Sequence, residues 1–180
     1  MEFVQPIRNP EDIEKMKAKL KRQSMRDWFL FVMGINVGLR VSDLLPLQVK
    51  DVRGRTHIVL RESKTGKEKR FKINTTMQTI IEEYTEGLAD TDLLFPSRKG
   101  EKPIGREQAY RILNTAAQKC GLDEVGTHTM RKTFGYHHYK RNKDVALLQK
   151  LFGHSAPSIT LRYIGIEQDE MDASIDDFSL

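Results

Sequence analysis

The chain has 180 residues, 38% of them hydrophobic and 31% charged, a composition that excludes a disordered polypeptide and suits one folded domain with little room for a second. Its formal net charge is +5 and its sequence pI is near 9.3. All six acids after Ile164 lie in a tail without Lys or Arg, so the body carries +11, a charge that attracts polyanions such as DNA or RNA in a salt-dependent way, a solvated basic surface being the ordinary alternative.

Asn9-Pro10-Glu11-Asp12 combines a cap, a first-turn proline and dipole-matching acids, predicting a helix through about Gln23 with a lysine-rich exposed face. A second helix from about Met25 carries Trp28, Phe29, Phe31, Val32 and Ile35, apolar nearly all round and therefore buried, and stops at Gly38. The apolar stretch from Trp28 to Leu39 is too short to span a bilayer and contains Asn36, while Glu2 replaces the basic start of a signal peptide. A cytoplasmic protein without membrane contact is the expectation. Two alternating runs, His57–Arg61 and Lys69–Ile73, flank Lys64-Thr65-Gly66-Lys67 and predict an antiparallel hairpin with a basic tip. Helices are predicted from Thr75 to about Leu88 and from Gly105 to about Cys120, separated by a loop with Phe95-Pro96 and Lys102-Pro103. Cys120 is the single cysteine, so no internal disulfide forms, and it is expected simply to pack. Four short helices follow, about 127–140, 144–152, 156–164 and 167–175. The expected fold class is thus α+β, mostly helical, with one small sheet.

Chemistry concentrates near the end of the chain, where His128-Thr129-Met130-Arg131 precedes Leu151-Phe152-Gly153-His154-Ser155 and Thr160-Leu161-Arg162-Tyr163. His128 and Arg131, three apart at a helix start, can share one face and point at an anion. Arg40 follows the helix-ending glycine, with Asp43 placed to orient it; a structural ion pair would use the same residues. Lys64 on the hairpin tip can close over a phosphate or stand solvated, and His154 at a helix junction can reach into a cleft or only pack locally. A tyrosine attacking a phosphodiester has an ordinary pKa of ~10, so a group must take its proton. The alkoxide leaving group needs an acid, and the nonbridging oxygens need cationic clamps. Two arginines, a lysine and two histidines can fill these roles.

Gly38-Leu39-Arg40-Val41-Ser42-Asp43-Leu44, Ser63-Lys64-Thr65-Gly66-Lys67, His128-Thr129-Met130-Arg131 and Phe152-Gly153-His154, with Tyr163 nine residues on, together resemble the tyrosine recombinase (phage integrase) family. The resemblance covers nearly the whole chain, in family order and spacing. It implies a tyrosine recombinase catalytic domain over residues 1–165, a DNA breaking-rejoining enzyme fold, and an acidic tail over 166–180 whose Ile175, Phe178 and Leu180 dock on a neighbouring subunit. It further implies that Arg40 and Arg131 clamp the scissile phosphate, Lys64 protonates the leaving 5′-oxygen, His128 is the acid/base partner, His154 binds a phosphate oxygen and Tyr163 forms a 3′-phosphotyrosyl bond, with Asp43 in support. ATP, metal and other cofactors are not expected. Double-stranded DNA, self-association on it from dimer to tetramer, and accessory proteins are the expected partners, in a bacterial or phage-encoded setting.

Backbone phosphate contacts are assigned to Lys67, Lys69, Arg70, Lys132 and Arg141, which would position DNA without reading its sequence. Phe152 stands where leucine is usual and Asp43 where glutamate is common, both changes that keep apolarity or charge. The N-terminal helical domain with which most members clamp DNA is not recognised, which fits a minimal recombinase, a mobile-element remnant or an excised piece. Competing readings are a type IB topoisomerase-like relaxing enzyme and a noncatalytic DNA-binding regulator that kept the cleft. A zinc protein using His128, His137, His138 and His154 lacks a cysteine pair or familiar ligand spacing.

Overall fold

The computed structural model of the chain describes residues 3–180. Its elements in chain order are α1 (Pro10–Gln23), α2 (Met25–Val37), α3 (Val41–Leu44), a 3₁₀ turn (Val49–Asp51), β1 (His57–Arg61), β2 (Glu68–Lys72), α4 (Thr75–Thr85), α5 (Arg106–Lys119), α6 (Thr127–Asn142), α7 (Val145–Phe152), α8 (Pro157–Tyr163) and α9 (Ile166–Asp176). The mostly helical α+β class and the hairpin are as expected. β1 and β2 pair antiparallel from His57 opposite Lys72 to Arg61 opposite Glu68, and Glu62 N–H donates to the Lys67 carbonyl at 2.9 Å, so pairing continues into the basic turn.

The signals at helix ends act as local chemistry requires. Asn9, Ser24, Asn74 and Asp144 each accept a backbone N–H of the helix they precede, satisfying donors that have no partner inside the helix. α4 stops at Thr85, three residues short of the predicted end. Gly87, left-handed at φ +79, turns the chain away, and the Arg53 guanidinium donates to the Thr85 carbonyl and, at 2.7 Å, to that of Leu88, stabilising the turn. Trp28 also departs from expectation. It is only partly buried, and the Lys21 ammonium lies 4.9 Å from its ring centre, shielding an exposed indole face by a cation–π contact.

Two apolar clusters divide the molecule. The larger one centres on α2, whose Phe29, Leu30, Phe31 and Met33 are fully enclosed, with Met16 and Leu20 of α1, Met77 and Ile81 of α4 and Ala109 and Leu113 of α5 around them. Phe29 stacks on Tyr84 at 3.9 Å. The smaller cluster gathers Leu148 and Phe152 of α7, Ile164 and Ile166 behind α8, and the flanking rings Phe134, Tyr136, Tyr139 and Tyr163. α6 runs between them, turning Met130 to the first and Phe134 to the second.

Two glycines let the clusters meet. A Cβ on Gly135 would lie 2.6 Å from Ile164 and 2.8 Å from Phe152, so a bare backbone is what allows α7 and α8 to lie against α6. Gly38 caps α2 at φ +77, a left-handed conformation that other residues adopt at a cost, and this turn aims the chain from α2 into Arg40. Gly135→Val should overpack this seam and lower unfolding free energy by roughly 1–3 kcal/mol, read from the denaturation midpoint, with helix content retained.

Candidate active site

Arg131 is the most enclosed cation of the seam, 3% exposed. One guanidinium nitrogen donates to the Gly38 carbonyl at 2.8 Å, the other to the Phe152 carbonyl at 3.0 Å, and the plane lies 4.2 Å from the Phe152 ring centre. Both carbonyls stand at helix C-termini, where no helical N–H reaches them and the negative end of the helix dipole favours a cation. The two glycine-capped helix ends thus form a socket for one arginine.

Arg40 enters the site from the turn after Gly38 and pairs with Glu62. Glu62 is 1% exposed and bridges further: Lys69 Nζ lies 3.0 Å from its Oε1, and the Thr65 hydroxyl donates to the same oxygen at 3.3 Å. Burial alone would raise the Glu62 carboxyl, but the Lys69 ammonium and the Arg40 and Arg131 guanidinium groups hold it below its usual value. Asp43 therefore does not orient Arg40 as expected. Its Oδ1 accepts the Ser63 backbone N–H at 3.0 Å, fixing the end of β1 one residue before Lys64.

Lys64 is exposed on the hairpin turn, and its positive charge acts on both His128 and His154. His128 stands on the first turn of α6. Desolvation, then the charges of Arg106, Lys132, Arg131 and Lys64, push its imidazole below the ordinary value. His154 follows the α7 cap; its Nδ1 is 2.8 Å from the Thr160 hydroxyl, which leaves Nε2 as the ring nitrogen for a ligand. Burial, followed by Arg131, Arg40, Lys69 and Lys64, lowers its pKa as well.

Tyr163 closes α8. Its ring meets Phe152 edge-on at 5.7 Å and His154 edge-on at 5.4 Å. Burial raises the phenol pKa, while Arg131 and Arg40, the former by a hydrogen bond to the phenol, offset part of the rise. The structure therefore brings Arg40, Arg131, His154 and Tyr163 of one chain together, with His128 and Lys64 at the rim.

The five residues assigned to DNA separate into two groups. Lys67, Arg70 and Arg141 are exposed, although Arg141 lies thirteen residues beyond His128 on α6, about 20 Å along the helix. Lys69 and Lys132 are instead turned inward. Lys69 is committed to Glu62 and, at 3.4 Å, to the Leu151 carbonyl, because its position on β2 faces α7. Lys132 donates to the Val4 carbonyl at 2.9 Å and lies 5.2 Å from the Tyr163 ring centre. Sequence reasoning missed Glu62 altogether. The signal was there: Ile58, Leu60 and Glu62 continue one face of β1 at the strand period of two, placing a carboxylate on the inward face. Among the described residues no three His, Cys, Asp or Glu side chains come together as a metal site; His137 Nε2 instead donates to the Ile7 carbonyl at 2.9 Å.

The profile of the phage integrase family matches residues 8–170. A Bacillus subtilis protein named "Probable integrase/recombinase YoeC" is 53% identical over 169 residues, which is 94% of this chain and 93% of that protein. The tyrosine recombinase XerA of Pyrococcus furiosus is 26% identical over 170 residues, 92% of this chain but 59% of its own length. Among solved structures, the XerH site-specific recombinase bound to a palindromic difH substrate in a post-cleavage complex superposes with a TM-score of 0.74 at 19% identity, covering 98% of this chain and 53% of that one. The chain thus spans little more than half of the two Xer proteins and nearly all of YoeC. A profile match over most of its length, together with a relative of similar size that is more than half identical, establishes that the chain belongs to the phage integrase family.

Proposed function

We propose that this chain cleaves and rejoins double-stranded DNA at a specific site through a covalent bond to Tyr163, as a site-specific recombinase. The observation that carries this reading is the Tyr163 phenol hydrogen-bonded to Arg131 of the same chain and within the field of Arg40, beside His154. A phosphodiester placed over the two arginines would have its nonbridging oxygens clamped by planar cations whose own geometry is fixed by Gly38, Phe152 and Glu62.

In the proposed step the phenol oxygen forms the P–O bond, its proton passes to His128, and the bond from phosphorus to the 5′-oxygen breaks as Lys64 protonates that oxygen. His154 Nε2 donates to a nonbridging oxygen, and Asp43 holds the strand end that presents Lys64. The 3′-phosphotyrosyl ester conserves the energy of the broken link. A 5′-hydroxyl of another strand can then reverse the step, without ATP or a cofactor. The phosphate supplies two further effects. Its negative charge favours the ionised arginines and protonated imidazoles that surround it, and it relieves the mutual repulsion of the cations that now depress both histidines.

A noncatalytic regulator would need the clamps but not a half-buried tyrosine beside them. Sites for backbone contact remain at Lys67, Arg70 and Arg141, with assembly on DNA from dimer to tetramer and accessory proteins as further partners. Residues 1–165 form the proposed catalytic unit and 166–180 the docking tail, whose Ile175, Phe178 and Leu180 are at least 66% exposed.

The direct test incubates the protein with a pool of nicked duplexes of randomised sequence, each losing a short fragment on cleavage, and captures adducts that survive denaturation. The wild-type chain should yield adducts and enrich its own site; Tyr163→Phe should yield none, and mobility shifts without adduct would support a regulator instead. With the enriched duplex, the cleavage rate should fall on the acid side. Measured at sub-saturating protein, the rate reports the DNA-free chain, in which the His128 pKa is lowered from 6.5, so the neutral base persists below that value and the loss begins only at lower pH; His128→Gln should lower the rate by roughly 10²–10⁴-fold and remove this limb. Deleting residues 172–180 should reduce assembly on paired sites, measured by native mobility, more than single-site cleavage, and equal losses would refute the docking role.

A further inference from the structure

Lys132 was assigned to the DNA backbone by its charge alone, yet its surroundings are those of an internal support. His128, Arg131, Lys132 and Gly135 occupy positions i, i+3, i+4 and i+7, one face of α6. Arg131 fills its socket on that face and Gly135 admits Phe152 and Ile164. Lys132, half-buried between them, extends its ammonium between the Val4 carbonyl at 2.9 Å and the Tyr163 ring at 5.2 Å.

We infer that Lys132 is a positioning residue for the Tyr163 nucleophile, holding the phenol ring by its face while Phe152 and His154 hold it from other sides. The inference rests on the cleavage reading above. A cation is attracted to the negative face of an aromatic ring within about 6 Å, more strongly when both are partly desolvated. Lys132 and Tyr163 also line one small cavity of about 110 Å³ with Phe3, Val4, Gly165 and Met171, so the half-buried ammonium is partly screened from bulk water.

The other anchor of Lys132 is itself fixed. Gln5 N–H donates to the Glu124 carbonyl at 2.8 Å, Ile7 N–H donates to the Thr133 hydroxyl at 2.9 Å, and the Ile7 carbonyl accepts from His137. The segment just after the Val4 carbonyl is therefore tied down at Gln5 to the turn before α6 and at Ile7 to α6 itself. Arg8 extends the same strap to α9, donating to Asp169 at 2.8 and 2.9 Å. A ring held by its face and two edges has its hydroxyl direction set, and in-line attack on phosphorus is sensitive to that direction.

A phosphate contact and a positioning role predict different kinetics. Single-turnover cleavage of the captured nicked duplex is measured against protein concentration for wild type, Lys132→Met and Lys132→Arg, and non-covalent binding to a fixed 30-base-pair duplex is measured from low to moderate salt. Lys132→Met should lower the maximal cleavage rate about tenfold, the scale of a partly desolvated cation–π contact, with the half-saturating concentration within twofold and the salt slope unchanged. Lys132→Arg should restore most of the rate. The inference is overturned if Lys132→Met cleaves at the wild-type maximal rate, or if its half-saturating concentration rises while the salt slope falls by about one, the mark of a lost phosphate contact. Should Lys132→Met unfold at assay temperature, Lys132→Gln, which keeps a donor for Val4, is judged by the same split. A wild-type chain that yields no adduct refutes the cleavage reading itself, whereas a cleaving wild type with an indifferent Lys132→Met refutes only the positioning role.

Discussion

The molecule depends on one arginine shared between two apolar clusters. Arg131 binds the end of α2 with one nitrogen and the end of α7 with another, and these helices belong to different clusters. Fixing a guanidinium in this way offsets the cost of burying it, because two carbonyls and an aromatic face replace much of its water. The same bonds set the distance between Arg40, which follows the first helix end, and His154, which follows the second. A substrate phosphate would meet cations whose spacing is already fixed before it arrives, so little of its binding energy is spent on ordering them.

Around that centre the charge balance is lopsided. Arg40, Arg131, Lys64, Lys69 and Lys132 crowd one region, and Glu62 is the buried carboxylate that compensates two of them. Breaking such a network from one side leaves uncompensated charge in a dry setting, which is far more costly than a surface pair would suggest. The acid is thus part of the site's architecture without facing the place where a phosphate would sit. It ties the hairpin carrying Lys64 to the turn carrying Arg40, through Thr65 on one side and the guanidinium on the other.

Much of this was legible in the residues themselves. Caps and punctuation located every helix but the short α3 to within a few positions, and the ordered run of Arg40, Lys64, His128, Arg131, His154 and Tyr163 indicated the family. What escaped was the identity of partners. Asp43 lies one turn from Arg40, and local spacing favoured that pair, but the chain reverses at β1 and brings Glu62 closer. Lys69 and Lys132 carry the same charge as their exposed neighbours, so composition could not separate inward from outward. Strand alternation for Glu62 and helical spacing for Lys132 held that information, in periods shared with ordinary packing. The early end of α4 had a local signal in Gly87, left-handed at φ +79 just past the helix, while the Arg53 contact that secures it comes from more than thirty residues upstream.

The contact between Arg8 and Asp169 spans 161 residues, nearly the full sequence. Closing so long a loop carries an entropy cost that local helices do not face, and contacts of this range tend to form after short-range structure has condensed. During synthesis the ribosome must release residue 169 before this clasp can shut, by which time α1 through α8 have already emerged. Docking of α9 on the N-terminal strap is accordingly a late event in the life of each new polypeptide, and a product truncated before residue 169 would lack the clasp from Arg8 to α9.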